Sequence, residues 1–101
     1  MNNTPTLQDE SAEKITEWKR LLRHTLGAGD HIAKYKHGYR NYFLASIGSE
    51  TELHFRCMVQ AGYAEQGGTE NNDQSRYYRA TLEGCKFIGL SKAATKRAFE
   101  D

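Results

Sequence analysis

Histidine and cysteine are the residue types in this chain that could bind a metal ion. A zinc site needs three or four converging ligands, and a helical site commonly uses two histidines four residues apart. No two histidines have that spacing, and His54 with Cys57 is the nearest approach to a ligand pair. The full set is His24, His31, His37, His54, Cys57 and Cys85. The sequence therefore predicts no metal centre and no cofactor.

The candidate nucleophiles and acids do not form a catalytic pattern either. Cys57 lies on a predicted apolar stripe, where a thiol is inert. Glu50 and Glu52 are two apart on a predicted helix, so they point in different directions. Both lie in the first helical turn, where the helix dipole keeps them ionised, whereas a general acid needs the opposite shift. We expect a binding protein that is not an enzyme.

Basic residues and tyrosines are interleaved in one block of the chain. Residues 14–40 carry a net charge of +5, and Tyr35, Tyr39 and Tyr42 lie among or just after the bases. This composition is typical of surfaces on which single strands or RNA stack. The candidate nucleic-acid-binding residues are Lys19, Arg20, Arg23, Lys34, Lys36, Arg40, Arg76 and Arg79. The alternative is that the tyrosines are core residues and the lysines an ordinary solvated face.

An acidic block follows the basic one. Residues 41–75 carry a net charge of −4, although the whole chain is only +1. The acids predict a partner-binding face of Glu50, Glu52, Glu70 and Asp73. Such a face suits a basic groove on another protein.

Two helices are indicated by capping residues and apolar spacing. The first begins after the cap Ser11 and runs to Leu26, with Gly27 as its stop, and has a stripe of Ile15, Trp18, Leu22 and Leu26. The second follows a capping box of Ser49 and Glu52, ends at Gly62, and carries a predicted buried stripe of Leu53, Cys57 and Ala61, widened by Met58. The sequence predicts that Trp18 and Leu53 are core residues.

The rest of the chain alternates short elements and turns. Residues 29–47 are compatible with a strand or a helix, and we favour an extended segment that ends at Gly48. Strands are predicted over 63–66 and 76–80, with a mobile loop over 67–75. Thr81 and Ser91 are predicted caps of two C-terminal helices, the first reaching about Leu90. These elements predict an α+β domain over residues 11–101, after a flexible arm over residues 1–10.

Two thiols are too few for a disulfide framework, so Cys57 and Cys85 are expected to be reduced. The first ten residues lack the apolar core of a signal peptide, and no stretch of about 20 apolar residues is present. We expect a cytoplasmic protein without membrane contact.

The segment over residues 49–90 resembles the second half of a winged-helix domain. A capped helix ends in Gly62-Tyr63-Ala64, a polar hairpin follows, and Thr81-Leu82-Glu83-Gly84 starts the next helix. A looser resemblance links residues 23–62 to small uncharacterised phage and prophage proteins, through Leu26-Gly27, Tyr39-Arg40-Asn41 and Gly48-Ser49. The two resemblances imply a winged-helix-like fold and a bacterial host cytoplasm.

We therefore expect a phage-derived regulator or inhibitor of a host protein, including host defence machinery of the anti-CRISPR kind. The alternative is a winged-helix protein that binds DNA or RNA. The inhibitor is favoured because the helix that would read DNA begins with two acids, which meet phosphates unfavourably. Homo-oligomerisation through Trp18 or the last helix is a further expectation.

Overall fold

The structure is a computed structural model that describes residues 12–100. Over that range the chain has an α+β fold, with helices packed against a three-stranded antiparallel sheet. The elements are α1 (Ala12–Leu26), β1 (Phe43–Ser46), α2 (Glu50–Ala61), β2 (Ala64–Glu70), β3 (Ser75–Ala80), α3 (Leu82–Phe87) and α4 (Lys92–Phe99), with a 3-10 turn at Lys34–Lys36 before β1. The predicted arm over residues 1–10 and the predicted cap Ser11 lie outside the described residues.

Helix α1 supplies the predicted apolar stripe. Trp18, Leu22 and Leu26 are buried, whereas Ile15 is only half-buried. The Trp18 indole is 1% exposed, and its Nε1 donates a hydrogen bond to Nδ1 of His54 on α2 at 3.2 Å. The prediction of Trp18 as a core residue is confirmed. Its suggested role in oligomerisation is wrong, because the ring is already packed inside the domain.

The ends of α2 lie where the capping residues predict. The Ser49 hydroxyl accepts a hydrogen bond from the Glu52 amide at 3.1 Å, and Gly62 ends the helix with a φ of 88°. Glycine suits that left-handed position because it has no Cβ to clash with the backbone. The second half of the predicted capping box differs, since the Glu52 carboxylate accepts from the Gly48 amide at 3.2 Å rather than from Ser49.

The buried face of α2 differs from the predicted stripe. Leu53, the first residue of that stripe, is 56% exposed, while Phe55 and Met58 are fully buried. Phe55 lies 4.9 Å from the Phe43 ring and 5.0 Å from the Tyr78 ring, between centroids. The aromatic residues of the sheet therefore fix which side of α2 turns inward, and Leu53 falls on the opposite side.

The sheet has the order β1-β3-β2. The predicted mobile loop over 67–75 is wrong, because β2 continues through Gly67 and Gly68 to Glu70 and pairs with β3. A register shift between Gln66 and Thr69 absorbs the glycines. The remaining turn, residues 71–74, holds three consecutive non-glycine residues with positive φ, a conformation that Asn and Asp tolerate better than other types.

Two short helices follow the sheet. The Thr81 hydroxyl accepts from the Gly84 amide at 3.0 Å and the Ser91 hydroxyl from the Ala94 amide at 3.1 Å, so both predicted caps are confirmed. Helix α3 ends at Phe87, short of the predicted Leu90. A single helix, α2, lies between β1 and β2.

Candidate nucleic-acid interface

The connection after α1 is held by the end of that helix. The last four carbonyl oxygens of a helix have no partner within it and must find one elsewhere. Here all four accept hydrogen bonds from residues 27–42. The bonds are Ala28 N to Arg23 O at 2.8 Å, Gly27 N to His24 O at 3.2 Å, Tyr42 N to Thr25 O at 3.1 Å and Gly38 N to Leu26 O at 2.9 Å. The position of residues 38–42 is therefore fixed by the backbone of α1.

Arg40 strengthens the same junction. Its Nε and Nη2 donate to the His24 carbonyl at 3.1 and 2.6 Å, where a cation also complements the negative end of the helix dipole. Asn41 fixes the next position along the chain, since its side chain exchanges two hydrogen bonds with the Ala80 backbone, at 2.8 and 3.1 Å. Together these bonds set the directions of the neighbouring tyrosines.

Three aromatic rings and one guanidinium form an open row, here called the tyrosine–arginine surface: Tyr39, Arg40, Tyr42 and Tyr77. The Arg40 guanidinium lies 5.5 Å from the Tyr39 ring centroid and 5.8 Å from that of Tyr42. The Tyr42 and Tyr77 rings meet edge to face at 6.3 Å. Tyr39 and Tyr42 are 56% and 54% exposed. The alternative that these two tyrosines are core residues is therefore wrong.

A cavity of about 590 Å³, here called the α1-end cavity, lies beside Tyr39 and Arg40. Its charged and titratable lining consists of Arg20, Arg23, His24, Asp30, His31 and Arg40. Its apolar lining includes Ile32, and Gly27 allows one wall to close, because a Cβ there would overlap the Tyr39 ring. A cavity of this size falls in the range that holds a small organic ligand.

A further basic residue, Arg97, lies on this side of the domain and is not indicated by the sequence patterns. Arg97 of α4 donates from Nε to the His37 carbonyl at 2.9 Å and lines a hollow of about 250 Å³ together with Arg40 and Arg79. No local pattern marks Arg97, because it lies far along the chain from Arg40 and reaches it only through the packing of α4. A backbone contact brings α4 there, since a Cβ on Gly38 would overlap the Ala94 carbonyl.

The predicted basic residues do not all join one surface. Arg23 and Arg40 line the α1-end cavity, and Arg20 lines it too but is paired with Glu17 at 2.6 Å. Arg79 pairs with Glu65 across the hairpin. The others lie apart from the cavity: Lys19 lies over the Phe87 ring, Arg76 donates to the Gly67 carbonyl, and Lys34 and Lys36 belong to the exposed 3-10 turn.

Glu52 does not belong to the predicted acidic face, because it is 2% exposed. Its carboxylate accepts from the Tyr78 hydroxyl at 2.5 Å and pairs with Arg56 at 3.2 Å. Burial alone would raise the pKa of Glu52, but these partners, the Gly48 amide and the charge of Arg76 together hold that pKa below its usual value. Burial and the facing carboxylate raise the pKa of Tyr78 to about 12, so Tyr78 remains the donor. Glu52 is a structural residue.

The remaining acids of that prediction are exposed. Glu50 begins α2, while Glu70 and Asp73 lie at the hairpin turn. The Ile47 amide donates to the Gln74 carbonyl at 2.9 Å, so the start of α2 and the hairpin turn lie at the same end of the domain. Asp73 accepts a hydrogen bond from the Thr69 hydroxyl.

The electrostatics of the α1-end cavity are dominated by its bases. Burial is the largest influence on His24, and together with the charges of Arg40, Arg20 and His31 it lowers the pKa of that imidazole. Nη2 of Arg40 lies 3.5 Å from Nδ1 of His24, a geometry in which the imidazole nitrogen is the acceptor. An anion bound in the cavity would offset the charges of the guanidinium groups and would therefore raise the pKa of His24.

Within residues 12–100, no three histidine, cysteine, aspartate or glutamate side chains are grouped so as to hold a metal ion. No helix of the described residues has the length and apolar character needed to cross a membrane. Cys57 and Cys85 are free thiols, and burial raises the pKa of Cys85. No family model, curated protein or solved structure matches the chain.

Proposed function

We propose that this protein is a non-enzymatic binding protein that holds single-stranded nucleic acid on its tyrosine–arginine surface. The observation that carries the proposal is the Arg40 guanidinium lying over two exposed tyrosine rings at 5.5 and 5.8 Å. Unpaired bases stack on aromatic rings and on guanidinium planes, and each stacked base contributes about 1–3 kcal/mol. Exposed, pre-positioned rings lose little entropy on binding, which favours such contacts.

A single strand suits this surface better than a duplex. Bases inside a duplex cannot stack on protein rings, and a duplex reader inserts a helix or ribbon into a groove. The helix before the hairpin, α2, has exposed Glu50 and Leu53 on its outer side. A helix-turn-helix reader uses two consecutive helices, whereas one helix lies between β1 and β2. We propose a winged-helix-like arrangement for the order of helix, hairpin and helix from α2 to α3. This order does not by itself favour duplex binding.

Fluorescence anisotropy with labelled oligonucleotides tests the proposal. A 12-nucleotide single strand of RNA, the same sequence as DNA, and the corresponding duplex are titrated at several salt concentrations. We expect both single strands to bind more tightly than the duplex. Their affinity should fall with salt by a slope of roughly 0.7 for each phosphate contacted.

Variants connect the binding to the surface. Tyr42→Ala removes one ring but keeps the backbone bond to Thr25, and should weaken single-strand binding by about tenfold. Leu53→Ala is the matched control, since Leu53 is about as exposed as Tyr42, 56% against 54%, but lies on α2. Equal affinities of the two variants, or preferential binding of the duplex, would contradict the proposal.

A second candidate function rests on the acidic end of the domain. The bond between Ile47 and Gln74 holds Glu50 near the hairpin turn, and Ile47 is 41% exposed beside it. An apolar side chain rimmed by acids suits a basic groove on a protein. Under this proposal the chain is a phage-derived inhibitor of a host protein in the bacterial cytoplasm, with host defence machinery of the anti-CRISPR type as one target class. Glu50→Lys with Glu70→Lys should abolish that inhibition while single-strand binding is unchanged.

A further inference from the structure

The α1-end cavity adjoins the tyrosine–arginine surface and shares two residues with it. Tyr39 and Arg40 belong to both, whereas Arg23 lines only the cavity and Tyr42 lines only the open row. A strand that stacks on Tyr42 and Tyr39 would therefore pass the mouth of the cavity. What the cavity accepts is decided by its size and its charged groups.

The charged groups favour a phosphate. Of the cavity's cations, Arg20 is already paired with Glu17, whereas within residues 12–100 the Arg23 side chain makes one long hydrogen bond, at 3.5 Å to the Ile88 carbonyl. Arg40 uses Nε and Nη2 toward His24, while its Nη1 makes no hydrogen bond to another residue in the range 12–100. Two guanidinium groups with donors to spare are suited to a phosphate, which accepts paired N–H groups.

The remaining walls favour a base and a sugar. The Tyr39 ring lies directly against Gly27 and, with Ile32, gives the cavity an aromatic and aliphatic wall. The His31 ring lies against Gly29, close enough that a Cβ on Gly29 would come within 2.9 Å of it. Asp30 is the cavity's carboxylate, and a carboxylate accepts hydrogen bonds from hydroxyl or amino groups. These groups match the parts of a nucleotide that are not phosphate.

We infer that the α1-end cavity binds one nucleotide unit of the strand, with its phosphate at Arg23 and Arg40 and its base against Tyr39. This inference rests on the proposed function, and it adds a specific subsite to the open stacking row. The subsite orders the strand, because one nucleotide leaves the row and enters the cavity while its neighbours stack on Tyr42 and Tyr77. A volume of about 590 Å³ exceeds what a lone phosphate would fill.

Titration with adenosine 5′-monophosphate, followed by NMR chemical shifts of the histidine rings, tests the subsite without an oligonucleotide. We expect His24 and His31 to shift on titration, and inorganic phosphate or adenosine alone to bind at least tenfold more weakly. Equal binding of inorganic phosphate would reduce the cavity to an anion site and overturn the inference. The absence of any shift would overturn it as well.

Arg23→Gln and Thr16→Phe test the cavity, and Tyr42→Ala tests the open row. Arg23→Gln should weaken adenosine 5′-monophosphate binding by about tenfold, through loss of a charge-assisted hydrogen bond. Thr16→Phe, at an exposed position of α1 that lines the cavity, should block the cavity by bulk. Lys86→Gln removes an exposed charge on α3 and is the control for Arg23→Gln. Tyr42→Ala should leave the mononucleotide affinity unchanged.

The two proposals fail in different ways. Oligonucleotide binding without mononucleotide binding, or mononucleotide binding that is insensitive to Arg23→Gln and Thr16→Phe, overturns the subsite and leaves the stacking row. Mononucleotide binding without any single-strand binding overturns the proposed function. Loss of both ligands in Arg23→Gln, with an unchanged melting temperature and unchanged behaviour of Lys86→Gln, supports the two together.

Discussion

Arg40 after α1 and Glu52 in the first turn of α2 are both charged residues that satisfy the end of a helix. Arg40 donates to the His24 carbonyl and keeps its guanidinium against exposed tyrosine rings. Glu52 accepts from the Gly48 amide and turns its second oxygen inward to Tyr78. The same local role leaves one charge available to a ligand and commits the other to the core.

The neighbouring sheet residues explain this difference. Tyr78 is buried on β3 and its hydroxyl needs a partner, which Glu52 supplies. The rings of Tyr39 and Tyr42, on either side of Arg40, face outward. The connection that carries them is hydrogen-bonded to the C-terminal end of α1 and is not packed beneath that helix. A charged residue near a helix end therefore does not by itself indicate a binding face. Its partner from a distant part of the same chain must be known as well.

The largest expected effect comes from reversing the buried acid. Glu52→Lys places an unpaired cation next to Arg56 and leaves the Tyr78 hydroxyl without its acceptor, so it should cost about 3–5 kcal/mol in the free energy of unfolding. Glu50→Lys, two residues away and exposed, should cost only about 0.3–1 kcal/mol. Urea denaturation measures both. Similar losses in the two variants would mean that Glu52 is not a core residue.

The dependence of stability on acidic pH should also show the role of the Glu52 carboxylate. The pKa of Glu52 is lower in the folded protein than in an unfolded chain, so Glu52 contributes stability above its unfolded value of about 4.3. That contribution is lost as the pH falls through the lower, folded value. The free energy of unfolding of the parent should therefore drop more steeply below about pH 5 than that of Glu52→Gln. Parallel pH profiles would exclude a depressed pKa at this site.

A smaller effect is expected at the α1-end cavity, on the pH dependence of the binding affinity. Burial and the charges of Arg40, Arg20 and His31 lower the pKa of His24 in the free protein, and a bound phosphodiester would offset those charges and raise it. Binding then takes up a proton, so affinity should rise a few-fold as the pH falls below about 6.5. An oligonucleotide without terminal phosphates avoids titration of the ligand itself. His24→Asn should flatten the profile, and His31→Gln distinguishes the other histidine of the cavity.

The smallest expected effect is that of Leu53→Ala. Because Leu53 is 56% exposed, its truncation should change the free energy of unfolding by no more than about 0.5 kcal/mol. Phe55→Ala, on the buried side of the same helix, should cost about 3–5 kcal/mol. Thermal unfolding of both variants measures the contrast. A large loss of unfolding free energy in Leu53→Ala would mean that Leu53 is buried, as the sequence predicts, and that Glu52 lies closer to the surface.

The sequence by itself determined the features that depend on a few neighbouring residues. Ser49, Thr81 and Ser91 each accept an amide three residues onward, and Gly27 and Gly62 end their helices with positive φ. Such caps are bonds within one turn of chain, so the residue types and their spacing are sufficient to predict them. The same is true of the alternation of helices with a hairpin that indicates an α+β fold.

The tertiary structure alone decided that Glu52 and Phe55 point inward from α2, and which basic residues meet. Glu52 is buried because of Tyr78, 26 residues away, and Arg97 reaches the neighbourhood of Arg40 only through the packing of α4. The hairpin is longer than predicted because Thr69 and Glu70 pair with Arg76 and Ser75 of β3 beyond the irregularity at Gly67 and Gly68, which the turn-forming composition does not indicate. In each case the deciding contact joins distant parts of the chain, and a local pattern of residue types does not encode such a contact.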